Sequence, residues 1–274
     1  MSLVNDWESI VKHQANNKSQ RGFTLVEMSI VLVIIGLILG AVSIGKDLQR
    51  DAEYSKIKQK FVDQWVQSYN AYYKRAGVVV GDNQSEPRFM VNGEDYAAGA
   101  GEPVSGGNMT AVTEPNAICQ GSLGPKMDRA NADADLHALF DRLGVRMPPG
   151  RAEGLEDRYV YLDTNGNPQE IQVCFQWNRP GRAEGSGNVM VITGLTPDLA
   201  RTLDQMIDGK PDAREGLFRQ QGVANGTAGT AGVEWDGNNS QDEQVSDNGD
   251  ATNTADNQDE DQVITLVAIY KMNQ

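Results

Sequence analysis

Apolar positions in this chain change their pattern twice. From Met28 to Ile44 there is no charged residue, and only serines and glycines interrupt the run. Adding Phe23 to Val26 gives a stretch to Gly45 with a single charge, Glu27. As a helix this is roughly 34 Å long at about 1.5 Å per residue, enough to span the hydrocarbon core of a bilayer. From Lys46 to Ala76 there is no proline and no glycine, and charges flank an apolar stripe. Ile57, Phe61, Trp65, Tyr69, Tyr72 and Ala76 recur in steps of three or four, so they share one helix face. Gly77 is a plausible stop. The pattern predicts one helix from about Thr24 to Ala76, roughly 80 Å long. Its outer half lays the stripe on a folded head.

Beyond Gly77 the pattern breaks up. Residues 78–125 are rich in Gly, Asn, Pro and acidic residues and read mostly as loop, with a short strand possible at Val78–Val80. Asn131–Leu143 reads as a short helix with Leu136, Leu139, Phe140 and Leu143 on one face. Arg158–Leu162 and Ile171–Trp177 flank the turn sequence from Asp163 to Pro168, which predicts a hairpin. Asn188–Thr193 and Val263–Tyr270 are further strands. A helix opens at Thr196 or Pro197, runs through Ile207 and closes at Asp208-Gly209. A long helix followed by an antiparallel sheet is an α+β arrangement.

Charge sharpens this picture. The net charge is −14. The first 22 residues carry Lys12, Lys18 and Arg21 against Asp6 and Glu8, which leaves −15 on the remainder. The basic start keeps the leader cytoplasmic and sends the acidic body outward. So acidic a surface disfavours nucleic acid. An ordinary secretory signal puts its apolar run before a small-residue cleavage site. Here the polar leader comes first, and no A-x-A site that would release the run follows it. Glu27 is costly: a carboxylate in a membrane helix costs about 2.5–3.5 kcal/mol on insertion scales. A position near the headgroups and the helix dipole explains its tolerance but not its presence.

The run Arg21-Gly22-Phe23-Thr24-Leu25-Val26-Glu27 before an apolar helix resembles the signal of type IV prepilins and of type II secretion pseudopilins. The resemblance is strongest over residues 21 to about 76. It implies a pilin-like fold, a long helix packed on an antiparallel sheet. It also implies that a membrane prepilin peptidase cuts between Gly22 and Phe23, and that the new Phe23 amine is N-methylated. Glu27 falls where the family keeps a glutamate that pairs with the N-terminal amine of a neighbouring subunit. The implied organisation is a cleaved leader (1–22), a transmembrane and assembly helix (23–45), an amphipathic stalk (46–77) and a globular head (78–274). The implied partners are other pilin subunits, the peptidase and an inner-membrane assembly platform. The implied location is the inner membrane, then a pilus or pseudopilus. Ile44 stands where many major pilins have a kinking proline, and Gly36, Gly40 and Gly45 are the available sources of flexibility.

Three functional readings follow. The first is a minor pilin of a type IV pilus, supporting adhesion, motility or DNA uptake. The second is a pseudopilin of type II secretion; Glu27 argues against its tip-type subunit, which usually lacks that residue. The third is a tethered ligand-binding protein that never polymerises, for which a buried acid has no use.

The candidate chemistry of the head is sparse. Cys119 and Cys174 are the only cysteines, and in an exported head a disulfide is expected, with two buried thiols as the other reading. The bridge would tie the variable loop to the sheet. Residues 222–261 hold clustered Asp and Asn, including Asp247, Asp250, Asp256 and Asp259. Such oxygens can bind Ca²⁺, but no full EF-hand loop is present. The expectation is therefore a solvated, partly disordered loop and no required cofactor. His13 and His137 are the only histidines, and no P-loop or dinucleotide fingerprint appears, so no enzyme is expected.

Overall fold

The computed structural model describes residues 23–104, 106–119, 135–227, 231–236 and 264–272. The chain divides into two units, Met1–Arg50 and Asp51–Gln274. Helix α1 (Leu25–Ile57) belongs to both. From Leu25 to Gly45 its side chains, Glu27 aside, are apolar on every face and exposed, Leu25, Leu32, Leu37 and Ile44 among them. By length and composition this helix can cross a membrane. Gly36, Gly40 and Gly45 remain helical, with open space where a side chain would stand.

In the second unit the helix becomes one-sided. The end of α1 leads into a π turn (Lys58–Val62) and then helix α2 (Asp63–Ala76). Gly77 closes α2 in the left-handed conformation at φ 76°, as its position predicts. Tyr54, Ile57, Phe61, Trp65, Tyr69 and Tyr72 are buried, and Ala76 is half-buried. Steps of four drift by about 40° each on an ideal α-helix of 3.6 residues per turn, so three of them would carry Tyr69 well off the face set by Ile57. The wider π turn takes back most of that drift and lets Phe61 and Val62 both reach the core.

The sheet has five strands: β1 (Arg158–Leu162), β2 (Pro168–Asn178), β3 (Gly187–Leu195), β4 (Phe218–Gln220) and β5 (Leu266–Lys271). Their spatial order is β1-β2-β3-β5-β4, and every neighbouring pair is antiparallel. The α+β class expected from the sequence is the one observed. The β1–β2 hairpin forms where expected, with Leu162 opposite Pro168. Pro168 opens β2 rather than ending the turn, a place where a missing N–H costs no ladder bond. Helix α3 (Leu136–Arg142) is capped by Asp135, whose side chain accepts from the His137 amide. Helix α4 (Pro197–Asp208) is capped by Thr196 and closed by Gly209 at φ 78°.

Val78–Val80 form no strand. The three valines are buried in a loop, and the Val80 carbonyl accepts from the Asn92 amide at 3.0 Å rather than from a ladder partner. β4 has no forewarning in the sequence, because three residues are too few to show an alternation.

Phe175 on β2 joins helix to sheet. It meets Trp65 at 6.0 Å, Tyr69 at 5.1 Å and Phe140 of α3 at 6.5 Å between ring centroids. The opposite face of the sheet is also dry: Cys174, Val189, Val191, Val267 and Ile269 form a second cluster with Ala117 and Cys119. A sheet buried on both faces explains the unbroken apolar runs Val173–Phe175 on β2 and Val189–Ile192 on β3. The loop segment reaches β2 through a pair of 2.8 and 3.0 Å bonds between Ile118 and Phe175.

The solvated-loop expectation for residues 222–261 is overturned in part. Trp235 is buried, 5.1 Å from Phe218 between centroids. Large aromatic area outweighs the polar character of its neighbours.

Phe175→Ala should destabilise the head by about 3–5 kcal/mol, measured by urea denaturation of the full chain in detergent. Replacing both cysteines by serine should cost about 2–4 kcal/mol in the same assay, since the bond spans 55 residues.

Candidate processing and assembly site

The start of α1 is built from three residues. Thr24 precedes the helix, and its carbonyl accepts the first intrahelical bond, from the Met28 amide at 3.2 Å. The Thr24 amide and hydroxyl donate to Glu27 Oε2 at 2.8 and 2.9 Å. The Glu27 amide donates back to Thr24 Oγ1 at 3.2 Å. This is a reciprocal capping box, and it satisfies two of the amides that any helix start leaves without partners. The spacing Thr-x-x-Glu signals it in the sequence, and the cost argument for Glu27 overlooks it. Glu27 therefore has a local reason to exist: it caps its own helix. Oε1 takes no hydrogen bond among the described residues.

Phe23 lies just before the cap, outside the helix, and is 80% exposed. Gly22 lies outside the described residues. The cap thus fixes where regular backbone begins, two residues after the Gly22–Phe23 bond. Along the helix, Ser29 satisfies its hydroxyl internally by donating to the Val26 carbonyl at 2.8 Å, so it costs little in an apolar setting. Apart from Glu27, no charged side chain interrupts the surface until Lys46.

The two cysteines lie in the second unit. The structure pairs Cys119 with Cys174, with 4.7 Å between their Cα atoms, and both are buried. Their bond anchors the loop to β2 beside the dry outer cluster. The calcium candidates Asp247, Asp250, Asp256 and Asp259 lie outside the described residues. Among the described residues, no group of three or more His, Cys, Asp or Glu side chains is placed to hold a metal. His137 sits on α3 and is half-buried.

Comparison with known proteins is confined to the N-terminal region. Residues 17–43 match the family described as the prokaryotic N-terminal methylation motif. No curated protein and no solved structure matches the chain. The matched region holds Gly22, Phe23, the Thr24–Glu27 cap and most of the apolar helix face. That motif points to a structural protein, to processing by a prepilin peptidase, to anchoring by the apolar helix and to assembly with other pilin subunits. From sequence order, helix chemistry and motif together, the chain carries the prepilin signal of type IV pilins and pseudopilins.

Proposed function

We propose that this protein is a minor pilin of a type IV pilus. The supporting observation is the junction of a polar leader, Gly22-Phe23 and a capped helix that is apolar on all sides. In this reading the peptidase cuts the Gly22–Phe23 bond, and Phe23 receives the methyl group on its new amine. The first helical half then leaves the bilayer for a filament core of like helices. The transfer is cheap because both environments are apolar, and packing rather than water exclusion selects the partner. Glu27 keeps one oxygen on its own cap and offers the other to a neighbour's amine. A charge pair of this kind is favourable only where hydrogen bonds complete both partners, and the Thr24 contacts supply part of that completion.

The head carries the specificity. Its long loops suit a minor subunit better than a major one, because bulky loops hinder dense helical packing. A pseudopilin of type II secretion shares the same N-terminal chemistry, so the two readings separate by system rather than by site.

Expression of the full chain with and without a prepilin peptidase, followed by mass spectrometry of the mature N-terminus, tests the processing. A methylated Phe23 start is expected only with the peptidase; an intact chain in both cases would refute it. Glu27→Ala should still anchor in the membrane but lose at least tenfold in filament incorporation, read by immunoblot of sheared pili. Wild-type incorporation of that variant would remove the assembly role of Glu27. Detection of the subunit in secretion pseudopili, and not in surface pili, would favour the second reading.

A further inference from the structure

Asp204 on α4 is fully buried. Its Oδ2 accepts from Trp235 Nε1 at 2.8 Å and from the Asp212 amide at 2.7 Å. Its Oδ1 is equally buried and has no partner. A bare carboxylate oxygen in such surroundings is costly, and native structures seldom leave one unexplained. A proton on Oδ1 removes the anomaly. Burial, first, drives the group toward its neutral form, and the carboxyl of Asp208, one turn along the helix, acts in the same direction by charge and by hydrogen bonding. Bonds from Trp235 and Asp212 oppose this, and the balance puts the Asp204 pKa at about 7.

The two acids together hold three segments. Asp208 Oδ2 accepts from the Leu217 and Phe218 amides at 2.9 and 2.8 Å, at the start of β4. Asp204 holds Trp235 and the turn at Asp212. Asp212 in turn takes the Val233 amide at 3.1 Å, and the Ala213 amide donates to the Val233 carbonyl at 2.8 Å. Residues 231–236 thus form a strap laid over α4 and β4.

We propose that the Asp204–Asp208 pair is a proton-operated latch that fastens this strap to the head. With the proton present, Oδ1–H donates to Asp208 and only one negative charge is buried. When the proton leaves to solvent, a second negative charge is buried beside that of Asp208. Among the described residues, Lys210 holds Asp212 and Glu215, Arg201 holds Glu234, and Arg214 donates its amide to Asp212. Tyr270 of β5, whose hydroxyl burial pushes upward, stays neutral throughout. Because the folded value is raised, the stabilisation is complete below the ordinary carboxylate range near 3.8 and is lost as pH rises through about 7. The latch is independent of how the N-terminus is processed.

Hydrogen exchange of the full chain in detergent micelles, corrected for intrinsic exchange rates, tests it between pH 5 and 8.5. Protection of residues 231–236 and of the Asp212 amide should fall by about tenfold per pH unit as pH rises from 5 toward 7, and level off above 7. Asp204→Asn, neutral at every pH, should abolish that slope. Trp235→Phe removes a bond that favours the charged form, so its levelling point should move further above 7. Flat protection in the wild type, the full slope in Asp204→Asn, or an unmoved levelling point in Trp235→Phe would each overturn the latch.

Discussion

Burial of the helical stripe against β2 is the contact on which the second unit rests. Trp65 and Tyr69 reach Phe175 from the helix, Phe140 reaches it from α3, and the two central strands present Phe175 and Met190 side by side. Each ring is worth more here than its area alone, because tilted and edge-on neighbours add to the transfer term. The remaining devices secure what this contact leaves loose. The disulfide holds the long loop to the far face of the sheet, Asp204 of α4 holds the strap, and Asp208 holds the start of β4.

The helix lives in two media with one backbone. Its first half tolerates apolar side chains on every face because no face meets water in a membrane or among like helices. Its second half confines them to one stripe because the other faces are wet. The change falls at Gly45-Lys46, where the first cation after the apolar run appears.

Much of this was legible without coordinates. The helix, its stop at Gly77, the β1–β2 hairpin, and strands β3 and β5 follow from period, turn chemistry and capping, which are local and act over a few residues. Val78–Val80 misled because three valines satisfy strand propensity while their partners are set by tertiary contacts. β4 and Trp235 escaped for a related reason: one is too short to show a period, and the other is a lone aromatic in polar surroundings whose burial depends on Phe218 and Asp204. At the N-terminus, Gly22, Phe23 and Glu27 stand out because their order is unusual for any exported chain. Thr24 was written in the same line, yet its role emerged only when its hydroxyl and the Glu27 carboxylate were seen to bond reciprocally.

The π turn at Lys58–Val62 gives the helix one residue more than its turns require. Losing one residue from this turn would relax it to an ordinary α turn and leave α2 facing nearly as it does now, because five residues of the wider turn rotate about as far as four of an α-helix. Trp65 and Tyr69 would still reach Phe175. The same deletion a few residues later, between Asp63 and Trp65, has no slack to draw on and would turn the aromatic stripe beyond it by about 100°.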